Sequence, residues 1–438
     1  MSTPSAEDEV VSLCSELIRI DSSNYGDGSG PGERKAAEYV AEKLADVGLE
    51  VSLHESAPGR TSLVARIEGT DRDRDALLVH GHLDVVPAQA ADWQVDPFSG
   101  EVRDDGCVWG RGAVDMKDMD AMVLATVRGM LRDGRRPARD VVLCFLADEE
   151  AGSVYGSHWL VDNHPELFEG CTEAIGEVGG FSLTLGQQRL YLVETAQKGI
   201  AWMRLTARGR TGHGSMINHE NAVTLLAEAV ARIGRHEWPL RLSAPVRALL
   251  TEAADTLGID VDLDDPTSVN AVVERLGALG TMIGATLHHS ANPTMLGAGY
   301  KVNVIPGAAE AHVDGRFLPG GEDEFLATID RLLGPDVERT FDHHDIAVET
   351  TFDGDLVGAM RSSLLAEDPG ARVVPYMLSG GTDAKAFSGL GIRCFGFAPL
   401  RLPPDLDFAG MFHGVDERVP VDGLQFGVRV LDRFLTQA

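Results

Sequence analysis

The chain reads as an α/β protein interrupted by an inserted α+β unit, and three features predict it. Helix and strand patterns alternate through roughly the first 180 residues, as in a sheet covered by helices. From about Leu190 to Arg208 the texture changes to alternating strand patterns, and from about residue 354 the helix–strand alternation returns.

In chain order, residues 7–20 set Val10, Val11, Cys14, Leu17 and Ile18 at helical spacing, and residues 26–32 are a turn-rich loop. Residues 33–47 form a second amphipathic helix closed by Gly48. Strands are expected over 51–53 and 62–67, then over the apolar run Ala76-Leu77-Leu78-Val79, which leads into His80-Gly81-His82-Leu83-Asp84. A glycine-bounded loop ending in Asp115 precedes a helix over 120–133. The strand over 140–146 runs into Asp148-Glu149-Glu150, a helix covers 156–163, and a strand-like stretch ends in Glu177-Val178-Gly179-Gly180.

The inserted unit holds strands over 190–208, a helix over 221–233, an irregular acidic segment over 237–279, strands near 285–287 and over 300–316, a helix over 322–333 and a strand over 345–352. This is a β-α-β-β-α-β order. A strand over 372–376, the loop Ser379-Gly380-Gly381-Thr382-Asp383, a strand over 393–397 and a helix over 421–435 complete the chain, with His413 between the last two.

Length and charge bound the function. A chain of 438 residues suggests two or three units with ample core. No apolar run approaches the roughly 20 residues of a membrane span, and the polar, acidic N-terminus has no leader pattern, so a cytoplasmic enzyme is expected. A net charge of −30 disfavours nucleic acid and anionic membranes as partners. The five cysteines are widely spaced without a C-x-x-C pair, which points to neither a disulfide framework nor a thiolate metal site. Only six residues are lysines, and four of them, Lys117, Lys198, Lys301 and Lys385, lie in or beside the motifs.

An extended strand points alternate side chains the same way, so His80, His82 and Asp84 share one face. They fit either a satisfied histidine pair or the start of a metal site. Asp115 fits a helix-start acid as well as a carboxylate aimed into a cleft, and the acids at 148–150 fit a solvated loop as well as a cation site. These residues recur at the ends of α/β elements, so only a fold can gather them.

Taken together, His-x-Asp, Gly-Arg-Gly-x-x-Asp-Met-Lys, Asp-Glu-Glu, Glu-x-Gly-Gly, Gly-His-Gly-Ser, Asn-x-Ile-Pro, Asp-x-Arg, Gly-Gly-Thr-Asp and the late histidine resemble, in order, the M20 family of co-catalytic metallopeptidases and deacylases. The resemblance implies a zinc-exopeptidase-like mixed sheet sandwiched by helices, with an inserted ferredoxin-like lid. Residues 1–197 and 354–438 would form the catalytic domain and 198–353 the lid or dimerisation domain. It implies two zinc ions per subunit, with cobalt or manganese as substitutes. His82 and Glu177 would bind the first, Glu150 and His413 the second, and Asp115 would bridge them.

By the same resemblance Glu149 is the general base, Asp84 orients the ring of His82, and His213 reaches the carbonyl oxygen, often from the partner subunit of a dimer. His80 would be structural. Asn303, Arg316, Gly380, Gly381 and Thr382 would hold the free carboxylate of a small substrate. Deacylases of the family tend to carry glutamate at the position of Glu177, which favours cleavage of N-acyl amino acids. A dipeptidase or carboxypeptidase is the alternative, and a non-catalytic binding homologue has no need for Glu149.

Overall fold

The computed structural model describes residues 5–438; residues 1–4, part of the stretch read as lacking a leader, lie outside the described residues. The large sheet runs in the order Val51–Ala57, Arg60–Ile67, Val141–Leu146, Ala76–His82, Cys171–Gly176, Arg393–Gly396, Gln188–Gln197 and Val348–Glu349, with Phe181–Leu185 and Arg372–Leu378 also paired to Gln188–Gln197. At its centre Ala76–His82 lies parallel to both Val141–Leu146 and Cys171–Gly176.

These central strands are apolar on both faces because both are covered. Leu77, Val79, Leu143 and Phe145 face a core shared with helices Ala6–Ile18, Lys117–Arg132 and Val421–Gln437. Leu78, Val142, Cys144 and Leu146 face a second core with Leu160 and Phe387 of helices Ser157–Asn163 and Ala384–Gly389. The period of two thus separates two cores within one strand.

The chain leaves this sheet at Gln197 and enters a four-stranded antiparallel sheet ordered Ser290–Ala298, Ala308–Phe317, Gly199–Arg208, Val337–Asp345. Helices Ala222–Gly234 and Glu322–Leu333 cover one face, burying Met203, Leu205, Leu226, Phe325 and Ile329. In chain order its strands lie 2-3-1-4, the ferredoxin-like arrangement of a split β-α-β.

Three expectations change. The strand near 285–287 starts at Ser290 instead, after a helix Ala278–Gly284. The stretch 300–316 divides at Pro306, which has no N–H for a ladder, into Val304–Ile305 and Ala308–Phe317. The strand expected over 345–352 is misplaced: the strand that closes the lid sheet is the earlier Val337–Asp345, and within the expected range only Val348–Glu349 continues as a strand, paired with Gln197 and Ala196 in the large sheet.

Residues 237–279, read as part of the lid, supply helices Ala244–Leu257 and Pro266–Val273. Val246, Leu249, Leu250, Ala253, Val269 and Val272 join the core of the large sheet. Leu250 is fully buried there. Leu250→Ala therefore lowers the stability of the catalytic half by about 2–5 kcal/mol, the usual loss for such a truncation. Urea unfolding followed by a probe in the large sheet checks this; a shift below about 1 kcal/mol would mean the segment docks loosely.

Candidate active site

The site forms where the parallel strands end. His82 closes the central strand in register with Leu146, so Glu149 and Glu150, just beyond Leu146, and Glu177, just beyond Cys171–Gly176, arrive at the same sheet edge. Asp115 comes from the loop before helix Lys117–Arg132. That loop is anchored by Glu417, which pairs with Arg111 and accepts from the Gly112 amide at 2.7 Å. The Asp115–Met116 peptide is cis.

His82 is fully buried. Its Nδ1 lies 3.0 Å from the carbonyl oxygen of Asp84, which can only accept, so the proton sits on Nδ1 and Nε2 is aimed into the carboxylates. Nε2 is 3.0 Å from Asp115 Oδ1, 3.5 Å from Glu177 Oε2 and 3.9 Å from Glu149 Oε2. The other oxygen of Asp115, Oδ2, is 3.2 Å from His413 Nε2, which is itself 3.0 Å from Glu150 Oε2. One carboxylate therefore spans two imidazoles, each with a glutamate beside it.

The charges are mismatched. Burial pushes Glu177 up to about 7 despite His82, and burial together with Glu177 raises Glu149 well above the carboxylate range. Burial and the neighbouring Asp115 also raise Glu150. Burial works against protonated His82, but Glu177 and Asp115 outweigh it and hold that ring well above its ordinary value. Hydrogen bonds to Asp115 and Glu150 raise His413 to about 10. Burial alone would raise Asp115, yet its contacts with His413 and His82 leave it below the usual range. Four carboxylates crowd two imidazoles, and divalent cations would supply the missing positive charge. Ligand atoms of His82, Glu149 and Glu177, and of His82, Asp115 and Glu150, each lie within 4.8 Å of one another. With one proton fixed on His82 Nδ1, a cation can displace the other from Nε2, and this set of nitrogen and oxygen donors suits divalent cations.

Other predicted residues sit differently. The carboxylate of Asp84 is 3.6 Å from the His82 ring and does not hydrogen-bond it; the backbone carbonyl of Asp84 does. Instead Oδ1 accepts from the amide of Glu149 and Oδ2 from that of Glu150, both at 3.1 Å. Oδ2 also accepts from Asn24 Nδ2 at 2.8 Å, a residue the sequence reading passed over inside a polar loop. His80 is buried against Phe387, and burial holds its ring down at about 3, in keeping with a structural part.

His213 is exposed on the lid, its Nδ1 2.8 Å from Ser215 Oγ, and it is not gathered into this cluster. Asn303 is exposed on the neighbouring ribbon, where its carbonyl accepts from the Gly214 amide. Arg316 donates from Nε and Nη2 to Asp314, at 2.7 and 3.2 Å, and lies over the Trp202 ring. The Thr382 amide, expected to line a carboxylate pocket, donates to Gln197 Oε1 at 3.0 Å, and Gln197 Nε2 donates to Thr382 Oγ1 at 2.7 Å. Gly380 and Gly381 remain in the half-buried part of that loop.

The family model for peptidase family M20/M25/M40 matches residues 78–437. Relatives include the N-fatty-acyl-amino acid synthase/hydrolase PM20D1 of Xenopus tropicalis, 26% identical over 90% of this chain and 79% of the relative. Aminoacylase-1 of Pongo abelii is 26% identical over 99% of this chain and 96% of the relative. Among solved structures, the M20 family metallo-carboxypeptidase Sso-CP2 from Sulfolobus solfataricus shares the fold with a TM-score of 0.75 and 20% identity, covering 98% of this chain and 99% of that one.

A cluster short of positive charge gains stability from cations. Adding Zn²⁺ or Co²⁺ to chelator-treated protein raises its thermal midpoint, by about 2.7 kcal/mol of stability per site at a hundredfold excess over Kd. Asp115→Ala, which removes the shared carboxylate, loses most of that gain. Calorimetric scans showing no shift with either ion would remove the cation assignment.

Proposed function

The chain belongs to peptidase family M20/M25/M40, a family of metal-dependent hydrolases, and from that premise we propose that it is a dinuclear zinc amidohydrolase releasing amino acids from N-acyl amino acids. The observation that carries this reading is Asp115 shared between His82 and His413, with the carboxylate of Glu149 beside them. That carboxylate lies 3.9 Å from His82 Nε2, where it can meet the attacking water.

His82, Asp115 and Glu177 would hold one cation, and Asp115, Glu150 and His413 the other. This nitrogen and oxygen set suits zinc, with cobalt or manganese as substitutes. Cations held so would supply Lewis acidity to a water and to the amide carbonyl. Glu149 takes the proton of the attacking water and passes it to the leaving amine nitrogen. Arg316, with Nε and Nη2 spent on Asp314, offers Nη1 to the substrate carboxylate, beside the amides of Gly380 and Gly381.

His213, remote from the cluster of its own chain, would serve a second copy as the donor to the developing oxyanion. The exposed Met216, Ile217, Tyr300 and Val302 beside it support a surface that a lid-to-lid homodimer covers. Glutamate at position 177 and a relative named for N-fatty-acyl-amino acid chemistry support the acyl substrate class over dipeptides.

The test is hydrolysis of N-acetyl, N-succinyl and long-chain N-acyl amino acids beside dipeptides, with zinc- or cobalt-loaded protein. Acylated amino acids are expected to be cut, and Glu149→Ala to lower kcat by at least about 100-fold. Cleavage of dipeptides alone would overturn the deacylase reading. Arg316→Ala raises KM about 10- to 100-fold for substrates with a free carboxylate, the worth of one charged hydrogen bond, and leaves the corresponding amides unaffected. Equal losses on both would show that Arg316 does not read the carboxylate.

A further inference from the structure

Behind the turn that carries Glu149 and Glu150 lies a buried polar chain that the reaction does not explain. The segment 22–24 runs beside the end of the His82 strand: the Val85 amide donates to the Ser22 carbonyl, and the Asn24 amide to the Val85 carbonyl at 2.9 Å. This brings the Asn24 side chain, only 4% exposed, between two buried carboxylates. Its Nδ2 donates to Asp84 Oδ2 at 2.8 Å and to Asp148 Oδ1 at 3.0 Å. Its Oδ1 accepts from Arg60 Nη2 at 2.7 Å and from the Gly26 amide at 3.0 Å. Arg60 is in turn paired with the fully buried Glu33.

Both carboxylates that Asn24 joins act on the same turn. Asp84 holds the amides of Glu149 and Glu150. Asp148 opens the turn in the left-handed region, at φ 68°, and its Oδ2 accepts from the Tyr155 amide at 2.9 Å. A non-glycine residue in that region costs on the order of 1 kcal/mol and persists only where its surroundings over-determine it. Among the described residues Asn24 is the one side chain hydrogen-bonded to both restraints, a neutral double donor between two carboxylates, with Arg60 Nε 3.8 Å from Asp148 Oδ1 behind it.

We propose that Asn24, fixed by Arg60 and Glu33, is a positioning residue: through Asp84 and Asp148 it sets the placement of Glu149 and Glu150 relative to His82 and His413. The proposal rests on Glu149 as base and Glu150 as ligand. Removal of such an outer partner typically costs about 10- to 100-fold in metal affinity or activity.

The experiment compares Asn24→Ala and Asn24→Asp with the native protein by kcat and KM on whichever substrate is cut, and by cobalt titration followed in the visible spectrum. Arg139→Met, which breaks the buried Arg139–Glu173 pair at the opposite edge of the sheet, is the stability control. Asn24→Ala is expected to lower kcat and the affinity for the second cobalt about 10- to 100-fold, with KM within about threefold. Asn24→Asp, isosteric but a third carboxylate, is expected to do worse. Arg139→Met should lower the thermal midpoint and leave kcat and cobalt affinity alone.

Native kcat and cobalt affinity in Asn24→Ala, or rescue by Asn24→Asp, would reduce Asn24 to packing and overturn the proposal. If Asn24→Ala does not fold, Arg60→Lys, which keeps a positive charge beside Glu33 and Asp148 and loses the Nη2 bond to Asn24, must show the same two losses; unchanged values overturn it. If no substrate of the panel is cut, the cobalt titration still decides, so failure of the deacylase reading and failure of this one are told apart.

Discussion

Like charges crowded in a buried pocket repel by about 4 kcal/mol per pair at 4 Å, even in the effective dielectric of a protein surface. Asp115, Glu149, Glu150 and Glu177 live under that repulsion, and most of the catalytic half can be understood as the frame that withstands it. The central strands deliver His82 and three of the carboxylates to one sheet edge, because parallel neighbours end together. The Arg111–Glu417 pair fixes the loop of the fourth, Asp115, and Asp84 caps the amides of Glu149 and Glu150. The same crowding makes the pocket a place for cations, since the frame prevents the carboxylates from moving apart to relieve it.

The frame also governs the lid. The chain crosses to the lid sheet at Lys198 and returns near Ile346, and one side chain grips both crossings: Lys385 Nζ donates to the Lys198 carbonyl at 2.7 Å and to the Ile346 carbonyl at 2.8 Å. Gln197 is bonded twice to Thr382, and His158 lies 3.3 Å from Asp345 at the end of a lid strand. Thr382 and Lys385 thus tie both crossings to the large-sheet half. Any movement of the lid sheet against the large one would have to be borne by the few residues between these anchors.

Much of this was legible in the sequence because apolar strands ending in histidine or acids are local patterns: His82, Glu149, Glu150 and Glu177 lie at or just beyond one, while Asp115 and His413 sit in loops and were read from their motifs. The partners of those residues are not local. Asn24, Arg60 and Glu33 are separated by turns and a helix, and nothing in their spacing marks them as buried together. The bond from Asp84 to two amides is a backbone contact, which no side-chain pattern encodes. Helices over 244–273 show which of their faces is apolar but not which sheet that face will meet, so their membership of the large core needed the fold. Arg316 was found by its motif, while the loss of two of its donors to Asp314 depended on the strand that places both on one face.

The scarcity of lysine acquires a physical sense at this point. Some arginines meet a carboxylate in a fork, as Arg135 does with Asp432 at 3.0 and 2.7 Å, a geometry the planar guanidinium suits. Lys117 and Lys385 instead meet backbone carbonyls, Lys117 that of Ile20 at 2.7 Å and Lys385 the two crossings. Both are buried, where a slender stem and a compact ammonium fit and a planar fork would not. At Lys117 a single carbonyl offers no second oxygen for a fork to match, so arginine there would leave donors unpaired. Lys117 and Lys385 thus hold the backbone itself: beside the loop that carries Asp115, and across the two crossings to the lid sheet.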